Sequence, residues 1–230
     1  STDKASNPIN MMGASKKIME MFMMDKSKNC SLSSARFANV AFSDGSLLHG
    51  FTQRLNKNQP ISAPNDVKRF FINSQESGEL CLLSSIFGKN REIFFPKMNI
   101  EKHGMKFTEI AVNFLEEKGY EPFLCETEDE ARKRSKELIK KSKWPCYFFS
   151  SDTTGEKPYE EFYTDKEKLD LNRFQNIGIV LNKYVKNSDL DNFLNEFNLI
   201  SSSNKISKKD IVNLFNIVLP NFHHEEKNKN

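Results

Sequence analysis

The sequence lacks several patterns that mark whole classes of protein. Its apolar runs are only a few residues long, far short of the roughly 18 that a membrane-spanning helix needs. Its four cysteines form no CxxC pair and its four histidines form no HExxH motif, so we expect reduced thiols in a cytoplasmic protein and no metal site. With 34 basic and 31 acidic residues among 230, the charge is too balanced to predict a nucleic-acid partner.

A dinucleotide-binding fingerprint is also missing. None of the nine glycines lies in a strand–GxGxxG–helix arrangement. If the chain belongs to an enzyme with a nucleotide cofactor, we expect the phosphate-binding half to precede Ser1, which is not an initiator methionine. Without that half, sheet strands would lack their neighbours, and we expect the segment alone to be inactive and poorly stable.

Helices and strands alternate along the first hundred residues. Apolar periodicity and turn signals predict helices at 10–24, 46–56 and 74–87, strands at 36–40, 67–72 and 92–95, and a loop at 59–66. Farther along, they predict helices at 106–117, 127–142, 188–198 and 207–217, strands at 121–125 and 145–149, and a frayed tail with His223 and His224. This alternation is typical of an α/β fold with a mostly parallel sheet.

The densest group of chemically active side chains lies at the start of the chain. Its members are Ser1, Thr2, Asp3 and Lys4, followed by Met12 and Lys16. A hydroxyl, a carboxylate and an ammonium group side by side supply hydrogen bonding, acid and base in one place. Residues 12 and 16 are four apart and share one helix face. On composition alone, a polar turn before a core-facing helix is the commoner meaning of such a segment.

The order of these residues carries a resemblance. The stretch STDKASNPINMMGASKK (1–17) resembles the active-site segment of extended short-chain dehydrogenases/reductases, and within them the nucleotide-sugar 4,6-dehydratases of polysaccharide biosynthesis. RFANV (36–40) is similar to the family's RFGNV, with Ala38 where glycine is usual. Further similar segments are SDGSLLHGF (43–51), VKRFFINSQESGEL (67–80), GYEP (119–122), ETEDEAR (126–132), SSDTTGEKPYEEF (150–162) and LPNFHHE (219–225).

The resemblance implies a fold and a division of the chain. We expect the C-terminal part of a Rossmann-like parallel sheet, with substrate-binding elements, at 1–105. A small α/β extension is expected at 106–185, and terminal helices with a tail at 186–230. The resemblance also implies a homo-oligomer when the protein is full length.

One position departs from the usual pattern of the superfamily. Most extended short-chain enzymes carry Tyr-xxx-Lys, and Met12 stands in the tyrosine position, four residues before Lys16. A thioether cannot exchange a proton, so the acid and base work would fall on Asp3 and Lys4. Methionine here resembles a branch of the family that retains the sugar configuration.

The reaction implied by the resemblance is NAD-dependent dehydration of a UDP- or GDP-linked N-acetylglucosamine to a 4-keto-6-deoxy sugar. Hydride passes from C4 to NAD, Lys4 removes the C5 proton, protonated Asp3 donates to the departing C6 hydroxyl, and hydride returns to C6. Thr2 would lie beside the 4-hydroxyl and Lys16 on the nicotinamide ribose. The cofactor carries the hydride step while the protein supplies position and acid–base groups.

Substrate and cofactor contacts are predicted from position and side-chain chemistry. Asn39, toward the substrate, and Val40, toward the cofactor, end a strand where open α/β sheets bind ligands. Ser43 and Ser46 are predicted donors to sugar or phosphate. By resemblance Arg69 approaches the diphosphate, for which a guanidinium is well shaped, and a surface residue on a short strand is the alternative.

Two other functions remain open at this point. One is a nucleotide-sugar epimerase or reductase of the same superfamily. Epimerisation, unlike dehydration, changes neither the mass nor the oxidation state of the sugar. The other is a non-catalytic module that binds nucleotide sugars or assists assembly, and Met12 is the residue that favours it.

Overall fold

The computed structural model describes residues 1–152, 155–184, 188–202, 206–220 and 222. The predicted tail with His223 and His224 lies outside these residues. Over the described part of the chain, no helix combines the length and the apolar character that crossing a bilayer requires.

Helices and strands alternate as the sequence predicts. After a short 3₁₀ turn at Asp3–Ala5, the helices are α1 (Met11–Lys26), α2 (Leu47–Asn56), α3 (Ser74–Phe87), α4 (Ile100–His103), α5 (Phe107–Glu117), α6 (Glu128–Lys140), α7 (Ser188–Ser201) and α8 (Lys208–Val218). The strands are β1 (Ser34–Ala35), β2 (Asn39–Val40), β3 (Ile61–Pro64), β4 (Lys68–Arg69), β5 (Phe71–Ile72), β6 (Glu92–Pro96), β7 (Met105–Lys106), β8 (Glu121–Cys125), β9 (Lys143–Phe149), β10 (Leu169–Asp170) and β11 (Ile177–Leu181).

Local signals account for the helix ends. At the start of α3, the Asn73 side chain accepts a hydrogen bond from the Glu76 backbone N–H, and the Glu76 carboxylate accepts one from the Asn73 N–H. This reciprocal capping box satisfies two donors that the first helical turn leaves unpaired. Each predicted helix is confirmed, with ends that differ by a few residues at most.

Four strands form one sheet in the order β1–β6–β11–β10. β1 runs parallel to β6, whereas β11 runs antiparallel to both β6 and β10. Thr2 extends the parallel part through a bridge to Phe37. The α/β class is therefore confirmed, but the strands at 169–170 and 177–181 are additions that the sequence prediction lacked.

A second sheet is parallel throughout, in the order β3–β9–β8. It packs against α2, α5 and α6 around a core that contains Phe51, Leu115 and Trp144. The predicted loop at 59–66 is wrong for its central part, because 61–64 forms β3. Ile61 and Ala63 point into the core and are fully buried, and the strand they belong to pairs with one about eighty residues later.

The predicted strand at 67–72 is divided between two partners. β4 pairs antiparallel with β7, and β5 pairs parallel with β2. The predicted strand at 36–40 also changes neighbours, since only 39–40 pairs with β5 while β1 just before it pairs with β6. Because neighbouring stretches of chain pair with different strands here, the ends of several short strands lie next to the Asp3–Ala5 turn.

The two terminal helices pack against α1. Leu190 and Phe193 of α7 and Leu214 of α8 form a buried cluster with Ile18 of α1. The boundaries expected at 105 and 185 stay a prediction, and two strand pairings cross the first of them: β3 with β9, and β6 with β11.

Candidate active site

The site is built on the turn that contains Thr2, Asp3 and Lys4. The Asp3 backbone N–H donates to the Phe37 carbonyl at 2.9 Å, so the turn is attached to the sheet at the point where the Thr2 bridge ends. Asp3 is completely buried, while the Lys4 side chain is 21% exposed. The sheet therefore carries a buried carboxylate beside a partly accessible ammonium group.

The two oxygens of the Asp3 carboxylate have unequal surroundings. Oδ1 accepts hydrogen bonds from the Thr2 hydroxyl at 2.8 Å, the Lys4 backbone N–H at 2.8 Å and Lys4 Nζ at 3.0 Å. Oδ2 is buried and has no partner among the described residues. Three donors therefore converge on one oxygen, and the second oxygen is left for a group that the described residues do not supply.

Asn39 fixes the Lys4 amine from the other side. Lys4 Nζ donates to Asn39 Oδ1 at 3.2 Å, and Asn39 Nδ2 donates to the Phe70 carbonyl at 3.1 Å. Asn39 lies on β2 and Phe70 directly precedes β5, the strand with which β2 pairs. Four of the predicted residues are thus brought together: Thr2, Asp3, Lys4 and Asn39.

Met12 and Lys16 share a face of α1, as their spacing predicts, but that face is exposed. Within the described residues, neither side chain has a hydrogen bond or ion pair to the Thr2–Lys4 turn. The helix itself comes very close: a Cβ on Gly13 would lie 2.7 Å from the Lys4 carbonyl oxygen. Only glycine allows this approach.

In the loop after β2, the two serine hydroxyls are hydrogen-bonded to nearby backbone groups. The Ser43 hydroxyl donates to the carbonyl of the half-buried Val40 at 2.9 Å, and the Ser46 hydroxyl accepts from the His49 N–H and caps α2. Phe42, directly before Ser43, is exposed at a φ of 61°, a backbone conformation that is unfavourable for a bulky side chain. The predicted roles of Val40, Ser43 and Ser46 in ligand binding remain predictions.

Arg69 is not a surface residue, and that alternative is wrong: it is 4% exposed. Its guanidinium donates to the carbonyls of Lys157 at 3.0 Å and Pro158 at 3.3 Å, and it forms an ion pair with Glu156. These bonds fasten the segment 156–160 to β4. Whether Arg69 also approaches a diphosphate remains a prediction.

Sequence reasoning missed Lys157 and Glu160, which Arg69 holds near the turn. Glu160 is 6% exposed; its Oε1 lies 3.9 Å from Arg69 and its Oε2 lies 3.5 Å from Lys157 Nζ. Burial raises the pKa of Glu160, the Asp3 charge raises it further, and the nearby cations oppose this. The available signal was the quoted segment 150–162, in which both residues lie.

A second buried cluster surrounds Arg36 and was also missed. The Arg36 guanidinium makes paired hydrogen bonds to Glu20 at 2.9 and 2.8 Å and to Glu167 at 3.0 and 2.7 Å, and it donates to the Phe162 carbonyl at 2.7 Å. Burial alone would raise the pKa of both glutamates, but the bonds from Arg36 hold both below their ordinary values. This cluster joins α1, β1 and the segment before β10.

Comparison with known proteins identifies the family. A family model described as "Polysaccharide biosynthesis protein" matches residues 1–182. The chain belongs to this family. It is 32% identical to the probable polysaccharide biosynthesis protein EpsC of Bacillus subtilis (strain 168) over 123 residues. This alignment covers 52% of this chain and 20% of EpsC.

The chain is also similar to an epimerase and to a solved structure. The chain is 33% identical over 103 residues to a UDP-glucose 4-epimerase of Rickettsia akari (strain Hartford), covering 42% of this chain and 30% of the epimerase. The X-ray structure of Pen from Bacillus thuringiensis aligns with 81% of this chain and 52% of its own, with a TM-score of 0.61 and 22% identity. At that identity the structure establishes a shared fold. The chain spans about half or less of the length of each of these proteins.

Proposed function

We propose that this member of the polysaccharide biosynthesis family is part of an NAD-dependent 4,6-dehydratase of a UDP- or GDP-linked N-acetylglucosamine. One observation carries the proposal: a fully buried Asp3 carboxylate holds the Lys4 amine on one oxygen, and its other oxygen has no hydrogen-bond partner among the described residues. The proposal includes a cytoplasmic, homo-oligomeric full-length enzyme and the division of this chain into 1–105, 106–185 and 186–230.

Lys4 is the base that removes the C5 proton. A ketone at C4 acidifies that proton, and an amine can accept it once Lys4 is neutral. Asn39 Oδ1 and Asp3 Oδ1 hold Nζ at 3.2 and 3.0 Å, so the amine is oriented before substrate arrives. The partial exposure of Lys4 gives a sugar access to it.

Asp3 is the acid that protonates the leaving hydroxyl. Its Oδ2, which lacks a partner, carries the proton to the C6 oxygen; the C6–O bond breaks and the group leaves as water. Thr2 donates to Oδ1 at 2.8 Å and is available, by rotation of its hydroxyl, to the 4-hydroxyl of the sugar. The proton that Lys4 takes from C5 returns to C5 when hydride adds to C6, and the proton gained by the leaving group is matched over the whole reaction by the proton lost from the 4-hydroxyl.

Lys16 and Val40 are the residues proposed to face NAD. The Lys16 ammonium is exposed, has no hydrogen bond or ion pair within the described residues and is a suitable donor to ribose hydroxyls, so the side chain fits this role. Val40 ends β2 with a half-buried apolar side chain next to Asn39. When bound, NAD supplies the reversible transfer of hydride that the protein's own groups cannot perform.

A 4-epimerase is the second candidate, and the similarity to the Rickettsia akari UDP-glucose 4-epimerase favours it. The two reactions differ in the product. Dehydration removes one water and leaves a 4-keto-6-deoxy sugar, whereas epimerisation changes only the configuration at C4.

The test is to incubate the complete protein with NAD and either UDP- or GDP-N-acetylglucosamine and to follow the sugar by mass spectrometry. We expect the loss of one water. Asp3→Asn should lower turnover about 10²–10⁴-fold, because it removes the acid, and it should leave nucleotide binding intact. Asp165→Asn, which alters an exposed carboxylate, is the matched control. Full turnover in Asp3→Asn, or an isomer of unchanged mass, would refute the dehydratase.

A further inference from the structure

A cleft of about 550 Å³ lies between α6 and the loop that joins α2 to β3. One wall is the loop 57–60, and the other is the face of α6 that carries Arg132, Lys136 and Lys140. With Lys57, four of the side chains that line the cleft are cationic, and none of the described residues that line it is acidic. Because the whole chain has a net charge of only +3, the cleft is a local concentration of positive charge.

The spacing of the three cations on α6 makes them repel one another. Arg132, Lys136 and Lys140 follow each other at intervals of four residues, so they are neighbours on the helix surface. Like charges at this spacing destabilise a helix, whereas a glutamate four residues before a cation stabilises it. The same helix has the favourable order on another face, where Arg134 pairs with Glu130 at 2.9 Å. The row of cations along the cleft is therefore not an arrangement that stabilises the helix.

Most of this positive charge has no counter-charge in the chain. Arg132 pairs with Glu128, but within the described residues the side chains of Lys57, Lys136 and Lys140 have no ion pair or hydrogen bond. Lys57 and Lys140 lie at the C-terminal ends of α2 and α6, where a cation complements the helix dipole. That effect does not require both side chains to face one cleft, and it does not apply to Lys136 in the middle of α6.

The walls of the cleft are held by bonds that do not involve these four cations. The Gln59 carbonyl accepts a hydrogen bond from Trp144 Nε1 at 3.0 Å, and the Pro60 carbonyl accepts one from Arg54 Nη1 at 3.1 Å. On the other side, Ile139 of α6 packs against the core that contains Trp144. The loop and the helix therefore rest on the same core. Binding a ligand here orders only side chains, and such a preformed site loses less free energy on binding.

The cleft is separate from the candidate active site. The loop 57–60 precedes β3 and α6 precedes β9, so the cleft lies where these two parallel strands begin. The segment 156–160, which Arg69 holds, follows the other end of β9. β9 has 7 residues, so its two ends are roughly 20 Å apart. Open α/β sheets bind their ligands at the ends where the strands finish, and a ligand in this cleft is therefore an additional one.

We propose that this cleft binds a ligand that presents two or more phosphoryl groups. A phosphate monoester bears about 1.5 to 2 negative charges at neutral pH, so two phosphoryl groups match the three lysines that lack a counter-charge. The exposed carboxamides of Asn58 and Gln59 add neutral donors. The volume of the cleft is within the range of small-molecule sites. A soluble diphosphate and the phosphate headgroups of a bilayer both present this chemistry, and the two sources are separated by experiment.

The first experiment offers two probes to the complete protein. One is inorganic pyrophosphate, followed by calorimetry, and the other is vesicles of phosphatidylcholine and phosphatidic acid, followed by co-sedimentation. Lys136→Gln combined with Lys140→Gln should weaken binding of a probe by at least about 10-fold, because two charged donors are lost. Lys28→Gln combined with Lys133→Gln removes two exposed lysines outside the cleft and should leave binding unchanged. An effect on pyrophosphate alone assigns a soluble ligand, and an effect on the vesicles assigns lipid headgroups. Equal results for the two double variants, or a wild type that binds neither probe, would overturn the proposal.

The second experiment separates binding from a structural role. Lys136→Glu places a carboxylate four residues from both Arg132 and Lys140, so two repulsive contacts become attractive. The urea midpoint of unfolding should stay constant or rise, while binding of the probe should be lost. Retained binding would refute the site, and a lower midpoint would refute the repulsion from which the site is argued. Neither readout needs NAD or turnover, so both are independent of the proposed dehydratase.

Discussion

Two arginines, Arg36 and Arg69, are both buried among glutamates, but their surroundings differ in one respect. Arg36 satisfies both of its glutamates with paired hydrogen bonds, and the Ser1 hydroxyl also donates to Glu20, at 2.7 Å. Around Arg69, Lys157 Nζ and Glu160 Oε2 form an ion pair at 3.5 Å, but neither has a hydrogen bond within the part of the chain that the structure describes. A fully paired buried network stabilises the fold, whereas a partly paired one is costly unless it serves another purpose.

The same difference is visible in the acid–base behaviour of the glutamates. The pKa of Glu20 and of Glu167 lies below the ordinary value, because the bonds from Arg36 outweigh burial. The pKa of Glu160 lies above it, because burial is not offset. Raised carboxyl pKa values are typical of functional sites, whereas the lowered values of Glu20 and Glu167 fit a structural role for the Arg36 cluster.

The largest expected effect is from Arg36→Met. The change removes the only cation that is hydrogen-bonded to both Glu20 and Glu167 within the described residues, and it leaves the buried Glu20 and the partly buried Glu167 carboxylates without it. Breaking a buried ion pair in this way costs about 3–5 kcal/mol. The free energy of unfolding, measured by urea titration of the complete protein, should fall by that amount.

Arg132→Met is the matched control for that measurement. Arg132 is 56% exposed and pairs only with Glu128 on the surface of α6, so its loss should change stability by less than about 0.5 kcal/mol. Equal effects of the two substitutions would mean that the Arg36 cluster has no special structural role.

A pair of Glu→Gln substitutions should act with opposite sign at neutral pH. Glu20→Gln weakens charged hydrogen bonds from Arg36 and should destabilise the protein by about 1.5–3 kcal/mol. Glu160→Gln removes a carboxyl group that is costly to ionise and should stabilise it by about 0.5–2 kcal/mol. Stabilisation on replacing Glu160 would fit a residue that is kept for function.

The pH dependence separates these two effects from packing changes. Because the folded pKa of Glu20 is lowered, its contribution is present above the ordinary value of 4.5 and is lost as the pH falls through the folded pKa. Because that of Glu160 is raised, the fold is penalised as the pH rises above 4.5 and not below it. Both differences from wild type should therefore shrink in urea titrations below pH 4.5. Differences that persist there would contradict the electrostatic explanation.

Features that depend on neighbouring residues could be predicted from the sequence. The bounds of α3 follow from Asn73, Glu76 and the apolar run after them, and Thr2, Asp3 and Lys4 are adjacent. Features that depend on distant residues could not. β3 follows Pro60 and ends at Pro64, residues that are typical of a loop, and its pairing with β9 makes it a strand.

The same limit applies to the candidate site. Glu20, Arg36 and Glu167 are 16 and 131 residues apart, and none stands in a recognisable motif. Glu160 lies in a segment that resembles the family, but the position of that segment depends on Ser6 and Arg69, which are remote in sequence. The sequence therefore predicted the candidate side chains at 2–4, but it did not predict the buried charged residues that the fold brings in from distant segments.

The smallest effect should come from Lys17→Met at the edge of the Arg36 cluster. Lys17 Nζ lies 3.7 Å from both Glu20 Oε2 and Glu167 Oε1, beyond hydrogen-bond distance, and its side chain is 27% exposed. Such a pair contributes less than about 1 kcal/mol and is screened by salt. The loss in unfolding free energy should therefore shrink further at high ionic strength, with the exposed Lys166→Met as control. A loss as large as that of Arg36→Met would make Lys17 a full member of the cluster, whose charge would then be balanced by two cations rather than by Arg36 alone.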